Sequence, residues 1–369
     1  MMAETEEQVM LRESVRRFVD RMMPREAARK WDRENIFPRE TYDALAEMGV
    51  MGLTVPTEYG GQVPAPGELT FPLDALWASP DIDVVGVDWY APLSDWRDGA
   101  AHADAEIAND PSNADYLQSR VASGEGFDWY YAGETDRVAQ NRLPIADGAY
   151  GKPWVYRVKD LVNWWSNAHV ARAGNIAIGA TAWTPKSKPI WLTELGCPAV
   201  DIGSNSPNLF PDPKSSASAL PPFSRGARDD LIAARAVAAT LRHFDPASLQ
   251  AAIANPVSPL YGDRMMNSAR THLWAWDARP FPAFPALRQV WGDAANFETG
   301  HWLNGRLEGA PLDELARAIA ADFDIDNVEC EGLDAFVDGY VIDRPMSLRA
   351  ALEPLAGLYG FGLRSGRLG

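Results

Sequence analysis

A chain of 369 residues with a formal net charge of −17 and a pI near 4.7 has the wrong sign for nucleic acid or an anionic membrane surface. Its 46% hydrophobic content is that of a globular protein, and its length allows two or three domains, or one large barrel with additions. No run reaches the length of a membrane-spanning helix, and Met1-Met-Ala-Glu-Thr-Glu-Glu7 lacks the apolar core of a secretory signal.

Residues 4–61 read as helical. Glu7 to Asp20 forms an amphipathic helix, with Val9, Val15, Phe18 and Val19 apolar and Arg12, Arg16 and Arg17 on the other face. Pro24 interrupts it. A second helix runs from Pro38 to Met48 and stops at Gly49. The Pro/Gly-rich joint Gln62-Val-Pro-Ala-Pro-Gly67 separates this unit from an α/β pattern that starts at Leu69. A short helix at Leu73–Trp77 and a turn at Pro80-Asp81 lead into Ile82-Asp-Val-Val-Gly-Val-Asp-Trp-Tyr90, a buried strand rich in β-branched residues. Residues 100–187 are a long connection with a helix from Ala114 to Ser123, an aromatic run at Phe127–Tyr131 and the Trp164-Trp165 pair. A structureless loop of that length is rare in a compact domain, so it is expected to pack as a subdomain.

Next comes Lys188-Pro-Ile-Trp-Leu-Thr-Glu194-Leu-Gly-Cys-Pro198. Ile190-Trp-Leu192 is short enough for a strand buried on both faces, and Gly196 and Pro198 break it just after a carboxylate. In a parallel barrel, chemistry is placed at the C-terminal ends of strands, which makes Glu194 the leading catalytic candidate. A strand-end Glu is also often a plain solvated rim residue. A polar loop to Ser218 and a helix from Gly226 to Phe244 follow. Thr271-His-Leu-Trp-Ala-Trp-Asp277 reads as a third strand, ahead of the Pro/Phe-rich Arg279–Pro285. Strand, crossover, strand, helix, strand is the order found in a (β/α)8 barrel, but these strands are too few to close one. The expected class is therefore α/β, with an incomplete TIM-barrel-like domain. Beyond residue 306 a helix from Pro311 to Ala321, a short strand at Gly339–Asp343 and a helix capped by Ser347 begin a truncated α+β module.

Most of the fourteen Trp lie between Trp77 and Trp302, which suits a carbohydrate cleft or a large interface. Trp89, Tyr90, Trp274 and Trp276 at strand ends are candidates for stacking on sugar rings, although strand Trp also fills barrel interiors. Cys197 and Cys330 have neither metal-ligand nor redox spacing and fit buried, inert thiols in a reducing compartment. The five His are scattered without helical ligand spacing, so no metal site is expected.

Two resemblances organise these readings. Residues 4–61, above all Leu53-Thr-Val-Pro-Thr-Glu-Tyr-Gly-Gly61, resemble the start of the N-terminal helical domain of acyl-CoA dehydrogenases. In that family the segment is scaffold over a flavin and acyl-CoA site. The flavin-contacting middle domain and the catalytic glutamate find no counterpart here, so no cofactor is expected. Four stretches resemble the TIM-barrel-like domain of the baseplate hub protein of gene transfer agents, which are tailed-phage-like particles. They are Val85–Gly99, Trp164-Trp-Ser-Asn167, Trp191–Asp201 and Trp274–Pro280. That resemblance covers residues 69–306, and residues 307–369 are similar to the opening of the phage-tail module that follows. The implied domains are 1–61, 69–306 and 307–369.

That barrel is in turn similar to glycoside hydrolases, whose nucleophilic Glu ends the seventh strand in a Thr-Glu-x-Gly setting matched by Glu194. The strands ending at Tyr90 and Asp277 would be the sixth and eighth. The acid/base carboxylate belongs to the fourth strand, which should lie upstream of Leu69, where the dehydrogenase-like segment stands instead. Asp88 and Asp277 are the remaining strand-end carboxylates. The resemblance implies a structural tail component with a degenerate glycosidase-like barrel, made in the cytoplasm and assembled into a particle. Its partners would be other tail or baseplate proteins and cell-surface carbohydrate, with neither nucleic acid nor membrane insertion. The alternatives are an active glycoside hydrolase with Glu194 as nucleophile, and a flavin-dependent dehydrogenase-like protein.

Overall fold

The computed structural model describes residues 16–34, 38–41, 67–212, 218–306 and 309–364. The start of the Glu7–Asp20 helix, the Pro38–Met48 helix beyond residue 41 and most of the joint at 62–67 lie outside the described residues. The main elements in chain order are α1 (Arg25–Glu34), β1 (Val85–Trp89), α2 (Ala114–Ser119), β2 (Val170–Ala173), β3 (Ile176–Ala180), β4 (Ile190–Leu195), α3 (Asp230–His243), α4 (Leu312–Ala321) and α5 (Leu348–Tyr359). Two compact units result. One comprises Met1–Ser79 and Ala168–Thr184, the other Pro80–Asn167 and Pro185–Gly369.

In the first unit, residues 16–22 are helical and the chain re-enters helix directly after Pro24 as α1. A proline just ahead of a helix loses no backbone bond, because the first N–H groups of a helix are unpaired in any case. β2 and β3 pair antiparallel across Gly174-Asn175, whose φ angles of +53° and +62° match the type I′ turn that suits the twist of a hairpin. This hairpin was not anticipated in the long connection. Leu69 and Arg172 exchange backbone hydrogen bonds across the hairpin's edge. Asp74, fully buried, accepts from His169 Nδ1 at 2.8 Å and Thr181 Oγ1 at 2.5 Å. The His169 ring is stacked between Phe71 and Trp183, with centroids 4.3 and 5.5 Å away.

The second unit is built on one parallel pair. β1 and β4 match Val85 with Ile190, Val87 with Leu192 and Trp89 with Leu195, with a register shift between Val87 and Asp88. Both strands carry β-branched and aromatic residues and bury Val85, Trp89, Ile190, Leu192 and Leu195. Residues 265–274 run along the free side of β4 through isolated bonds, among them His272 N to Leu192 O and Trp274 N to Leu195 O, both 2.8–2.9 Å. Thr271–Asp277 is therefore not the expected strand. From Ala275 the backbone leaves β4 and exchanges hydrogen bonds with His301 and Leu303 instead. Among the described residues the parallel sheet has two strands, so the fold is mixed α/β with small open sheets.

α3 begins at Asp229, whose side chain accepts from Ile232 N at 2.9 Å, and packs against α2, capped in the same way by Asn113. Beyond residue 309, α4 and α5 share a core of Leu312, Ile319, Val337, Leu352 and Leu355. Ser347 caps α5 as expected, and Gly360 ends it at φ +74°, a left-handed position that favours glycine. The strand expected at Gly339–Asp343 forms earlier, where Phe336-Val337 pairs with Ala310-Pro311. Val337 is buried while Val341 is 83% exposed, so packing against α4 chose the segment. Arg235 on α3, itself buried, bridges to Asp313 and Glu314 of α4.

The connection between β1 and β4 is ordered by buried charge. Asp95 accepts from Tyr131, Gln140 and Arg142 at 2.5–2.9 Å, and Asp104 accepts from Arg142, Tyr116 and the Asp95 backbone. Burial works against the Asp104 carboxylate, but the bonds from Tyr116 and Arg142 outweigh it and hold its pKa below the usual range. Removing Arg142 leaves buried Asp104 without its arginine and leaves Asp95 with Arg97 alone, 3.2 Å away. Arg142→Met is expected to cost about 3–5 kcal/mol in urea unfolding; a loss below about 1 kcal/mol would mean that the network does not hold the connection.

Candidate active site

At the C-terminal ends of β1 and β4 the backbones of Asp88 and Glu194 are paired, just past the register shift between Val87 and Asp88. Glu194 is half-buried, and the Tyr90 hydroxyl donates to its Oε2 at 2.7 Å. Burial, this bond to a carboxylate and the nearby Asp88 charge all push the Tyr90 phenol well above its ordinary range. Tyr90 therefore stays protonated and serves as a fixed donor. Asp88 is exposed, and its Oδ1 accepts from the Thr193 hydroxyl at 2.8 Å.

Asp277 is employed elsewhere. Arg279 grips both its oxygens and also reaches Asp293, while Trp302 Nε1 donates to it at 3.1 Å. The bond from Arg279 is the largest influence and lowers the Asp277 pKa to about 2. A general acid must hold a proton at working pH, so Asp277 cannot fill that role. Its function is structural, since Arg279 also lies over the Phe284 ring and pins the small Phe284–Phe297 cluster. The spacing Asp277-x-Arg279 was the sequence signal for this pair.

The aromatic candidates divide. Trp89 is turned into the core and is 4% exposed, whereas Trp274 and Trp276 are 46% and 65% exposed. Trp274 stands beside the end of β4 because its backbone N–H binds Leu195 O. Gly196 permits this approach. A Cβ there would sit 2.7 Å from the Trp274 carbonyl oxygen, 3.1 Å from His301 Cδ2 and 3.3 Å from Tyr90 Cε1.

His301 was not singled out from the sequence. It is buried, its Nε2–H donates to Pro207 O at 2.6 Å, and its ring meets Tyr90 and Phe210 edge-on. Nothing in its local sequence marks it; only the fold carries residue 301 under Tyr90. Two surface hollows, of about 520 and 450 Å³, lie apart from this site, the first lined by residues of 105–119 and the second by Asp110, Arg228–Leu231, Asp334, Phe336 and Asp338. Both are shallow, and neither touches Glu194. Among the described residues no three His, Cys, Asp or Glu are grouped to hold a metal, and no helix is long and apolar enough to cross a membrane. Cys197 is buried, which pushes its thiol pKa up, in keeping with the inert role expected of it; Cys330 is only half-buried.

Glu194 thus stands at the C-terminal end of a parallel strand pair, the end at which (β/α)-barrel enzymes place their chemistry. The chain belongs to the GTA TIM-barrel-like domain family, whose model matches residues 55–285, more than half of it. The model of the acyl-CoA dehydrogenase N-terminal domain matches residues 5–70. The chain is 46% identical over 56 residues to (2S)-methylsuccinyl-CoA dehydrogenase of Cereibacter sphaeroides, covering 15% of this chain and 10% of that protein. The chain thus spans about a tenth of the length of this curated relative.

His301 offers a pH test of the site's packing. Burial, with a smaller contribution from the Arg306 charge, lowers its pKa from 6.5 to about 4 despite the Pro207 bond. Between those values the unfolded chain binds the extra proton and the folded chain does not, so stability falls as pH drops from 6.5 towards 4. The contribution is roughly 3 kcal/mol. In urea titrations across that range, His301→Phe should flatten the acid limb relative to the parent; parallel curves would show that His301 already protonates in the folded state.

Proposed function

We propose that this chain is a structural component of a phage-like gene transfer agent particle, of the baseplate-hub or tail-tip type. Its barrel-like domain meets cell-surface saccharide but does not cleave it efficiently. The division into residues 1–61, 69–306 and 307–369 is part of this proposal. Membership of the GTA TIM-barrel-like family supports the particle reading.

One observation carries the loss of catalysis: among the described residues Glu194 has no proton donor of the right kind. A retaining glycosidase needs two carboxyl groups about 5–5.5 Å apart, one to attack and one to protonate the leaving group. Asp88 is bonded to Thr193, Asp277 is held ionised by Arg279, and Tyr90 holds its proton too tightly to give it away. General acid help is worth about 10²–10⁴-fold, so little turnover of a natural glycan remains. A substrate with a good leaving group needs no such donor. Slow, stoichiometric glycosylation of Glu194 by aryl 2-fluoroglycosides is therefore expected as a mass increment on its peptide, absent in Glu194→Gln. Rapid turnover of a polysaccharide, abolished by Glu194→Gln, would support the glycoside hydrolase reading instead.

The particle reading has its own test. The protein should co-sediment with phage-like particles through a density gradient, and deletion of its gene should leave particles defective at the tail tip; a product found only in the soluble fraction counts against it. The dehydrogenase-like segment supports a scaffold role, because the shared region is confined to residues 5–70. Purified protein should carry no flavin, and stoichiometric FAD with acyl-CoA-dependent dye reduction would overturn this.

A further inference from the structure

We infer that the chain pairs with a second copy of itself through an uncharged apolar surface at residues 246–262. Pro246 to Gly262 holds no Asp, Glu, Lys or Arg, and it is the longest such run in the chain. It is nevertheless surface, with Leu249, Ile253, Val257 and Leu260 exposed by 104%, 78%, 52% and 62%. Single exposed apolar residues are ordinary; several in one short, charge-free run mark a contact surface. Backbone bonds from Ala251 N to Ser248 O, Ala254 N to Gln250 O and Asn255 N to Ala251 O wind this part of the run into a helical turn. Leu249 and Ile253, four apart, therefore share a face. Arg264 gathers the segment, donating to Ala251 O and Asn255 O at 3.2 and 2.7 Å and to Pro246 O at 3.3 Å, while its backbone bridges Val257. Asn255 and Ser258, both buried, fasten it through Phe244 O, Met266 O and Lys186 O. The apolar side chains are thus held out on a fixed backbone. Ile190 N donates to Met265 O, which sets the segment by the start of β4, at the opposite end from Glu194.

A second copy is the partner that charge and area favour. Two chains of net charge −17 repel one another, so they can approach closely only where charge is absent from both surfaces. This run meets that condition, and its charged neighbours in sequence, Asp245 and Asp263, are exposed acids that would lie outside the apolar contact. A basic protein would find no acid to pair with inside the run, and an anionic membrane would be repelled by the acids beside it. The four side chains expose on the order of 400–500 Å² on each copy, and a two-fold axis doubles that. The total falls short of the roughly 1,200 Å² at which stable interfaces begin, so the dimer is a weak one, with a Kd of roughly 10–100 µM.

Sedimentation equilibrium of the full chain over roughly 1–200 µM, at low and at high salt, tests the inference. The weight-average mass should climb with concentration from 40.5 kDa and level off at twice that value. Raising the salt should tighten the dimer roughly three- to tenfold, because it screens the repulsion between like-charged copies and leaves apolar burial intact. Leu249→Glu and Ile253→Glu each place an acid in the contact and should each weaken the dimer at least about tenfold. Both side chains are exposed in the single chain, so thermal melting should not change. Val341→Glu replaces an apolar side chain that is 83% exposed beyond residue 309, and it should leave the dimer intact. A mass that stays at one chain throughout, or one that rises past two copies, would overturn the inference. So would a dimer that weakens with salt, one that survives both Glu variants, or one lost equally in Val341→Glu.

Discussion

Two parallel strands cannot be joined by a turn, and the second unit depends on that constraint. β1 and β4 run side by side in the same direction, so the chain must travel from Trp89 back to the start of β4 at Ile190 before it can pair. Such a crossover forms long-range contacts late and at an entropic cost, and something must hold it. Here the holding groups are charged and buried. Asp95 and Asp104 are each less than 5% exposed at the side chain and share Arg142; Asp95 also takes Arg97, Tyr131 and Gln140, and Asp104 takes Tyr116 and the Asp95 backbone N–H. Once the crossover is in place, the register of β4 against β1 is set, and with it the pairing of Glu194 with Asp88.

The same logic explains why the strand-end carboxylates differ so much. Asp277, only two residues from an arginine, is neutralised locally and becomes part of a small aromatic cluster. Asp88 and Glu194 meet across strands and are served by hydroxyls, which satisfy oxygen lone pairs without cancelling charge. One class of carboxylate strengthens the fold; the other leaves unpaired negative charge at the strand ends. Gly196 and His301 complete the second arrangement by letting the Trp274 backbone and the Tyr90 ring close around the end of β4. The His301 ring is neutral through most of the acid range because it is dry, so it adds packing without adding a competing positive charge.

The C-terminal module is joined to the strand pair by a related device. Arg235 emerges from α3, is nearly fully buried, and bonds Asp313 and Glu314 in the first turn of α4. Arg242 and Arg317 add partners to the same acids. An acidic first turn complements the helix dipole, and the arginines complement the acids. A chain with an excess of acid thus spends its arginines where burial would otherwise leave carboxylates unpaired.

Much of the framework was legible because it depends on local pattern. Ile190–Leu195 and Val85–Trp89 read as strands from short apolar, β-branched runs ended by Gly or Pro. α3, α4 and α5 read as helices from periodicity and, for α5, from the Ser347 cap. The Thr-Glu-Leu-Gly setting of Glu194 and the family resemblance were legible in the same way. Tertiary structure decided the rest, because partner choice is non-local. Thr271–Asp277 has the composition of a strand, yet it shares only a few bonds with β4 before Ala275 turns to His301 and Leu303. Gly339–Asp343 has strand propensity, but Val337 found the apolar surface first. Sequence alone marked Asp88 and Asp277 as equivalent strand-end carboxylates and Tyr90 as an aromatic stacking candidate. Their different hydrogen-bond partners, each set by long-range packing or by an arginine's reach, made one a donor to Glu194, one an exposed charge beside it and one a structural anchor.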